Sequence, residues 1–72
     1  NLIKLFDEFY DLKIFIKNQN YILIENYKKL SLISETKIII DNIEILGKEL
    51  LIKELNCLQI QIEGVLNEIS FI

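Results

Sequence analysis

The 72-residue chain is predicted to be all-α: an antiparallel helical hairpin, or a long amphipathic helix, that packs into a coiled coil or helical bundle. Three observations favour this fold class. Apolar residues recur at every seventh position, and the chain contains no proline and only two glycines. In addition, three glutamates are each followed by a lysine four residues later: Glu25 by Lys29, Glu44 by Lys48 and Glu49 by Lys53. An apolar recurrence of seven is typical of a helix with one buried face. Proline and glycine usually mark loops and turns, so their scarcity favours long elements.

The seven-residue row begins at Leu2 and reaches the end of the chain. Nine of its eleven positions are apolar, and the two exceptions, Lys37 and Glu44, are neighbours in the row. Before them the apolar stripe advances in steps of three then four residues, and after them in steps of four then three. We therefore expect one module over residues 1–72, with a helix at about 2–30, a turn or register break at about 31–37 and a helix at about 38–72.

The break at 31–37 has two interpretations. In the first it is a turn, because Ser31, Ser34 and Thr36 compete for backbone hydrogen bonds and form helices poorly. Asp41, followed three residues later by Glu44, would then cap the second helix. In the second it is a stutter within one continuous helix, whose apolar seam drifts around the surface. We favour the turn, and hence the hairpin.

The polar tripeptide at 18–20 is a competing site for a turn, since its residues have low helix propensity. We prefer to interpret Gln19 as a buried polar residue that sets the pairing register. The segments 21–24 and 38–40 would also pass as short buried strands, because isoleucine favours sheets. No hairpin-turn dipeptide separates them, however, and acid-first pairs four residues apart stabilise a helix but not a strand.

The composition argues against catalysis. The chain has no histidine, so it lacks the usual general base at neutral pH and a common metal ligand. Its single cysteine, Cys57, cannot form an internal disulfide and is predicted to be a small core filler in a reducing compartment. The acids Asp7, Glu8 and Asp11 are interpreted as a solvated face near a helix N-terminus. We predict a non-enzyme with no catalytic residue, cofactor, metal or small-molecule substrate, located inside the cell, in the cytoplasm.

Charge and apolar content restrict the partners. A net charge of −3 disfavours nucleic acid, which binds basic surfaces, and argues against a membrane surface. Apolar residues make up 51% of the chain, more than the interior of so small a monomer can bury. We therefore expect a protein partner, either further copies in a homo-oligomer or the subunits of a larger complex.

The predicted function is a structural, non-enzymatic protein–protein interaction and assembly module, which oligomerises or completes a helical bundle through apolar helix faces. Two alternatives remain open: an adaptor or chaperone that masks a partner's amphipathic helix, and a helical peptide that lies on a membrane surface. The residues predicted to form the interface are Leu2, Leu5, Phe9, Leu12, Ile16, Leu23, Leu30, Leu51, Leu55, Leu58, Ile62, Val65 and Ile69.

Overall fold

The structure, a computed structural model, describes residues 12–72, and in this part the chain forms β-strands and no helix. The strands are β1 (Lys13–Lys17), β2 (Tyr21–Glu25), β3 (Leu30–Ile33), β4 (Lys37–Ile40), β5 (Ile43–Leu55) and β6 (Gln59–Phe71). They form one antiparallel sheet in the order β1-β2-β6-β5-β4-β3. The all-α prediction is therefore wrong, and so are the predicted coiled coil, helical bundle and helical hairpin.

Strands replace both predicted helices. β1 and β2 lie in the range predicted for the first helix, and β4, β5 and β6 lie in or across the start of the second. Residues 2–11 fall outside the described part of the chain. A turn does occur within 31–37, but it joins β3 to β4. There Ser34 Oγ accepts hydrogen bonds from the amides of Thr36 and Lys37 at 3.3 and 2.9 Å.

The core is built almost entirely from isoleucine. Eight isoleucines are at most 1% exposed, and Leu50 at 6% completes the buried cluster. The eight form four Ile-x-Ile pairs, Ile22/Ile24, Ile38/Ile40, Ile43/Ile45 and Ile60/Ile62. Because side chains alternate between the faces of a strand, both members of each pair lie on the same face. β-Branched side chains also fit a pleated surface well, so the same residues favour the strands and fill the core.

The seven-residue row does not mark this core. Residues seven apart along a strand lie on opposite faces, since the side-chain period is two. Within residues 12–72, no member of the row is buried. Its apolar members there are Leu23 and Leu30, which are half-buried, and Ile16, Leu51, Leu58, Val65 and Ile72, which are exposed.

The long β5–β6 hairpin bends in its middle. Its register shifts between Leu46 and Gly47 and again between Lys48 and Leu51, and Gly64 on the facing strand has a φ of 145°. Extra residues of this kind bend a strand and increase its twist. The four Ile-x-Ile pairs come from both ends of the ribbon yet form one buried cluster. The bend therefore brings the two halves of the sheet together, apolar face to apolar face.

Each half of the bent ribbon carries one short hairpin. β2 pairs with residues 59–63 of β6, and β4 pairs with residues 43–46 of β5. Both hairpin tips reach the bend in the same way. The amide of Gly64 donates to the Asn20 carbonyl at 3.2 Å, and the amide of Gly47 donates to the Thr36 carbonyl at 3.0 Å. The two halves thus have the same strand arrangement, a short hairpin paired with one end of the ribbon.

The turn between β1 and β2 occupies the polar tripeptide at 18–20. Asn18 and Gln19 have φ angles of 56° and 63°, and the amide of Asn20 donates to the Lys17 carbonyl at 3.2 Å. Two successive positive φ angles are the mark of a type I′ turn, whose twist suits a hairpin. Gln19 is exposed, so its interpretation as a buried register-setting residue is wrong.

Candidate interaction edges

Four stretches of strand have hydrogen-bonded neighbours on one side only within the described chain. They are β1, β3, the second half of β5 (residues 51–55) and the second half of β6 (residues 65–71), apart from the Leu66 amide, which donates to the Gln19 carbonyl at 3.0 Å. We call these stretches the free edges. Because each presents unpaired backbone amides and carbonyls, another strand can add to it.

The exposed apolar side chains concentrate on the free edges. Among the described residues, ten large hydrophobic side chains are exposed, from 41% at Leu32 to 73% at Phe71. Eight lie on the free edges: Phe15, Ile16, Leu32, Ile33, Leu51, Leu55, Val65 and Phe71. The other two, Leu58 and Ile72, lie in the β5–β6 turn and directly after β6. The stretches paired on both sides carry none of them.

The edge of β1 is the most regular of the four. β1 pairs with β2 through five consecutive residues without a bulge. In contrast, the register of β3 shifts between Leu30 and Leu32, and that of the second half of β5 shifts between Ile52 and Glu54. Bulges are one of the devices by which proteins prevent edge pairing. β1 has no bulge, and only its two terminal lysines, Lys13 and Lys17, could hinder edge pairing.

The outward face of β1 has the order Lys13, Phe15, Lys17, and Phe15 is 51% exposed. The ion pairs formed within residues 12–72 involve other lysines: Lys37 with Glu44 at 3.7 Å and Lys53 with Glu63 at 3.5 Å. The edge therefore presents an apolar ring between two positive charges that have no ion-pair partner among the described residues.

A shallow open cleft of about 180 Å³ lies between β1 and the second half of β6. Its lining consists of Ile16, Gln19, Leu66, Asn67, Glu68 and Ile69. Because Ile16 faces the same side as the core residues but is 55% exposed, the apolar interior of the sheet is open to solvent at this point. An added strand at β1 would cover it.

The predicted interface residues are divided between surface, core and unassigned positions. Ile16, Leu51, Leu55, Leu58 and Val65 are exposed; Leu12, Leu23, Leu30 and Ile69 are half-buried; Ile62 is fully buried in the core; and Leu2, Leu5 and Phe9 lie outside the described residues. The exposed members are not on one helical face but are shared among three free edges and a turn. Because Ile62 is fully buried, its side chain cannot contact a partner.

The exposed residues Leu32, Ile33 and Phe71 lie outside the seven-residue row and were not predicted to form an interface. The pentapeptide Lys13–Lys17 carries a recognisable signal, because a short run of β-prone apolar residues between two lysines is typical of an edge strand.

Among the described residues, the side chains that could take part in catalysis or metal binding do not gather into one site. Cys57 is a free, exposed thiol in the β5–β6 turn, so its prediction as a core filler is wrong. Within residues 12–72, no three acidic or cysteine side chains are grouped closely enough to hold a metal ion. No helix capable of crossing a membrane occurs in the same residues.

Comparison with known proteins gives no match: no family model, no curated protein and no solved structure is significantly similar to this chain.

Proposed function

We propose that this protein is a non-enzymatic interaction and assembly module, which binds a protein chain by adding a β-strand to one of its free edges. The observation that carries the proposal is the distribution of exposed apolar side chains. Eight of the ten lie on strands whose backbone is paired on one side only. Natural sheets usually cover or charge such edges, since an apolar edge promotes association.

The mechanism is β-strand addition. An incoming strand satisfies the unpaired amides and carbonyls of the edge, and its alternate side chains bury the exposed apolar residues. Each Å² of apolar surface removed from water contributes roughly 25 cal/mol before the entropy lost on association is subtracted. The inner-face residues Ile16 on β1 and Ile33 on β3 extend the apolar layer of the core to these edges. A strand added there would continue that layer.

The absence of histidine from the whole chain supports the non-enzymatic part of the proposal. We also propose a location inside the cell, in the cytoplasm. The single cysteine supports it, because Cys57 is a free exposed thiol and a reducing compartment preserves such a group.

The test places one carboxylate on each free edge in turn. The variants are Phe15→Glu on β1, Leu32→Glu on β3, Leu51→Glu on β5 and Phe71→Glu on β6. All four side chains are at least 41% exposed, so each variant should remain folded by circular dichroism. Thr36→Glu adds the same charge to an exposed hairpin turn and is the matched control.

Sedimentation equilibrium measures self-association, and co-purification from native extract measures association with another chain. We expect at least one edge variant to weaken association at least tenfold, while Thr36→Glu leaves it unchanged. The proposal is overturned if the wild-type chain neither self-associates nor retains a partner, or if all four edge variants associate as the wild type does. Turnover of a small molecule would refute its non-enzymatic part.

A further inference from the structure

We propose that β1 is the edge that binds the partner, and that the partner is an extended segment of another protein in which two acids flank an apolar residue at alternate positions. This inference rests on the proposed function, and it names both the edge and the chemistry of the strand that adds to it. β1 is Lys13–Lys17, and all five of its residues pair with β2 without a bulge. Among the free edges it therefore offers an added strand the most regular backbone.

The outward face of β1 is positively charged. Lys13 and Lys17 are exposed and lie on the same face as Phe15, which separates them. Across the β1–β2 pair, Glu25 lies opposite Lys13 and Tyr21 lies opposite Lys17. The ion pairs formed among residues 12–72 involve neither lysine of β1. A strand added to this edge therefore meets two lysines that have no ion-pair partner in the described part of the chain.

This charge pattern determines the outward side chains of the partner. Opposite charges directly across two paired strands stabilise the pairing, and so do aromatic pairs, whereas like charges destabilise it. The two lysines lie four residues apart, with Phe15 midway between them. A partner with two acids four residues apart and an aromatic residue midway therefore places a carboxylate opposite each lysine and a ring opposite Phe15. The order Lys-Ile-Phe-Ile-Lys is the same in both directions, so this pattern fits whichever way the added strand runs.

The inward face of β1 determines the two intervening residues of the partner. Ile14 packs partly buried against the core, and Ile16 is 55% exposed and lines the open cleft of about 180 Å³. Partner side chains opposite these isoleucines would lie at the margin of the core, and the one opposite Ile16 would lie at the cleft. Apolar side chains there remove the isoleucines from water. The complete pattern of the partner is thus acid, apolar, aromatic, apolar, acid.

A second copy of β1 does not fit this edge. Antiparallel pairing of two copies over their full length places Lys13 of each copy opposite Lys17 of the other, and like charges in that position destabilise a sheet. Within residues 12–72, no two acids lie four residues apart, so none of the other described strands carries the matching pattern. We therefore take a separate protein as the occupant, and occupation by a second copy is an outcome that the experiment distinguishes.

The experiment uses two synthetic peptides with acetylated and amidated ends and the full-length chain. The acidic peptide is Ser-Glu-Val-Phe-Val-Glu-Ser, and the basic peptide has lysine in place of both glutamates. In titration calorimetry the acidic peptide should bind about tenfold or more tightly than the basic one, and added salt should reduce this difference. Because the chain has a net charge of −3, nonspecific attraction would favour the basic peptide instead.

Reversal of the charges on β1 should reverse the preference. The variant with Lys13→Glu and Lys17→Glu should bind the basic peptide about tenfold or more tightly than the acidic one. Both positions are exposed, and binding of the basic peptide would itself show that the variant is folded. Lys28→Glu with Lys48→Glu changes the net charge equally at exposed positions outside β1, so this control should keep the wild-type preference.

Methylated peptides test whether the backbone of the partner pairs with β1. Successive amides of a strand point to opposite sides, so only alternate amides of an added strand face the edge. One acidic peptide is N-methylated at both valines, and another at the phenylalanine and both glutamates. Exactly one of the two should lose binding, because its methyl groups block the hydrogen bonds to β1, and the other should retain it.

The proposal is overturned if the wild-type chain does not prefer the acidic peptide, if charge reversal does not reverse the preference, or if both methylated peptides bind. It is also overturned if the wild-type chain self-associates and Phe15→Glu abolishes that association in sedimentation equilibrium, since a second copy then occupies the edge. The proposed function is decided separately, by whether any of the four edge variants loses association with a protein chain. It survives if a variant of β3, β5 or β6 does so while β1 binds no peptide.

Discussion

Gly64 faces Glu49 across the bend so closely that a β-carbon on Gly64 would lie 2.8 Å from the Glu49 carbonyl oxygen. Both residues have positive φ angles, 145° for Gly64 and 53° for Glu49. Gly47 lies nearby under the same constraint, since a β-carbon there would collide with the Val65 carbonyl. The backbones of β5 and β6 therefore approach each other at the bend in a way that only glycine permits.

Replacing Gly64 should destabilise the protein, and replacing Glu49 should not. Gly64→Ala places a β-carbon against backbone atoms at an unfavourable φ, which should lower the free energy of unfolding by about 2 kcal/mol or more. Glu49→Gly removes a side chain from the left-handed region and should raise or leave unchanged that free energy, by up to about 1 kcal/mol. Urea unfolding measures both, and equal effects of the same sign would contradict the described bend.

The isoleucine core predicts a steep difference between buried and exposed apolar positions. Ile24→Ala removes a fully buried side chain and should lower the free energy of unfolding by about 2–5 kcal/mol. Leu58→Ala, at a position 61% exposed, should lower it by about 0.5 kcal/mol or less. Thermal and urea unfolding provide the comparison. A larger loss at Leu58 would indicate that the core consists of the seven-residue row and not of the Ile-x-Ile pairs.

Asp41 holds the connection between β2 and β3. Its carboxylate accepts hydrogen bonds from the amide of Lys28 at 3.0 Å and from the amide of Lys29 at 2.7 Å, and its φ is 52°. Asp41→Ala should lower the free energy of unfolding by about 1–3 kcal/mol, because it removes these acceptors and places alanine in the left-handed region. Asp41→Asn keeps one acceptor oxygen and tolerates the backbone conformation, so its loss in urea unfolding should be smaller. An equal loss would show that the hydrogen bonds contribute little.

Asn56 determines the turn between β5 and β6. Its Oδ1 accepts hydrogen bonds from the amides of Leu58 at 2.9 Å and Gln59 at 3.0 Å, the arrangement of an Asx turn. Asn56→Ala should therefore lower the free energy of unfolding by about 1 kcal/mol. Asn56→Asp retains the acceptor and serves as the control.

The sequence contains signals of the strands and of one turn, but the seven-residue recurrence of apolar residues favoured a helical prediction over them. The alternative strands at 21–24 and 38–40 are close to β2 and β4, and the competing turn at 18–20 is the β1–β2 turn. In a chain that is 51% apolar, residues seven apart are often both apolar whatever the fold. The Ile-x-Ile pairs discriminate better, since a period of two is incompatible with one helical face.

The matching strand arrangement of the two halves also has a signal in the sequence. The pattern Ile-x-Ile-acid-Asn occurs at 22–26 and again at 38–42, and Ile-x-Ile-x-Gly occurs at 43–47 and 60–64. These repeats predict two similar hairpins and two similar strands. They do not predict that β2 pairs with β6 and not with β3, the next strand in the chain. That pairing depends on the bend and on contacts distant in sequence.

Of the candidate edges, only part could be predicted from the sequence. Leu51, Leu55 and Val65 were predicted to form an interface on a helix; they are exposed on free edges of the sheet, and their part in an interface stays a prediction. Which side of each strand lacks a neighbour follows from the strand order, and strand order is a tertiary property that alternation alone does not specify.

The strand order has a consequence for how the chain reaches its native state during synthesis. Ile22 lies opposite Ile62, so β2 leaves the ribosome well before the strand that will cover it has been made. Contacts between residues so distant in sequence slow folding. Until β6 has been synthesised, the apolar strand β2 stays uncovered and can form non-native pairings. β6 follows the other five strands of the sheet in the chain and thus completes both halves at once, and synthesis that stops before residue 59 leaves both halves incomplete.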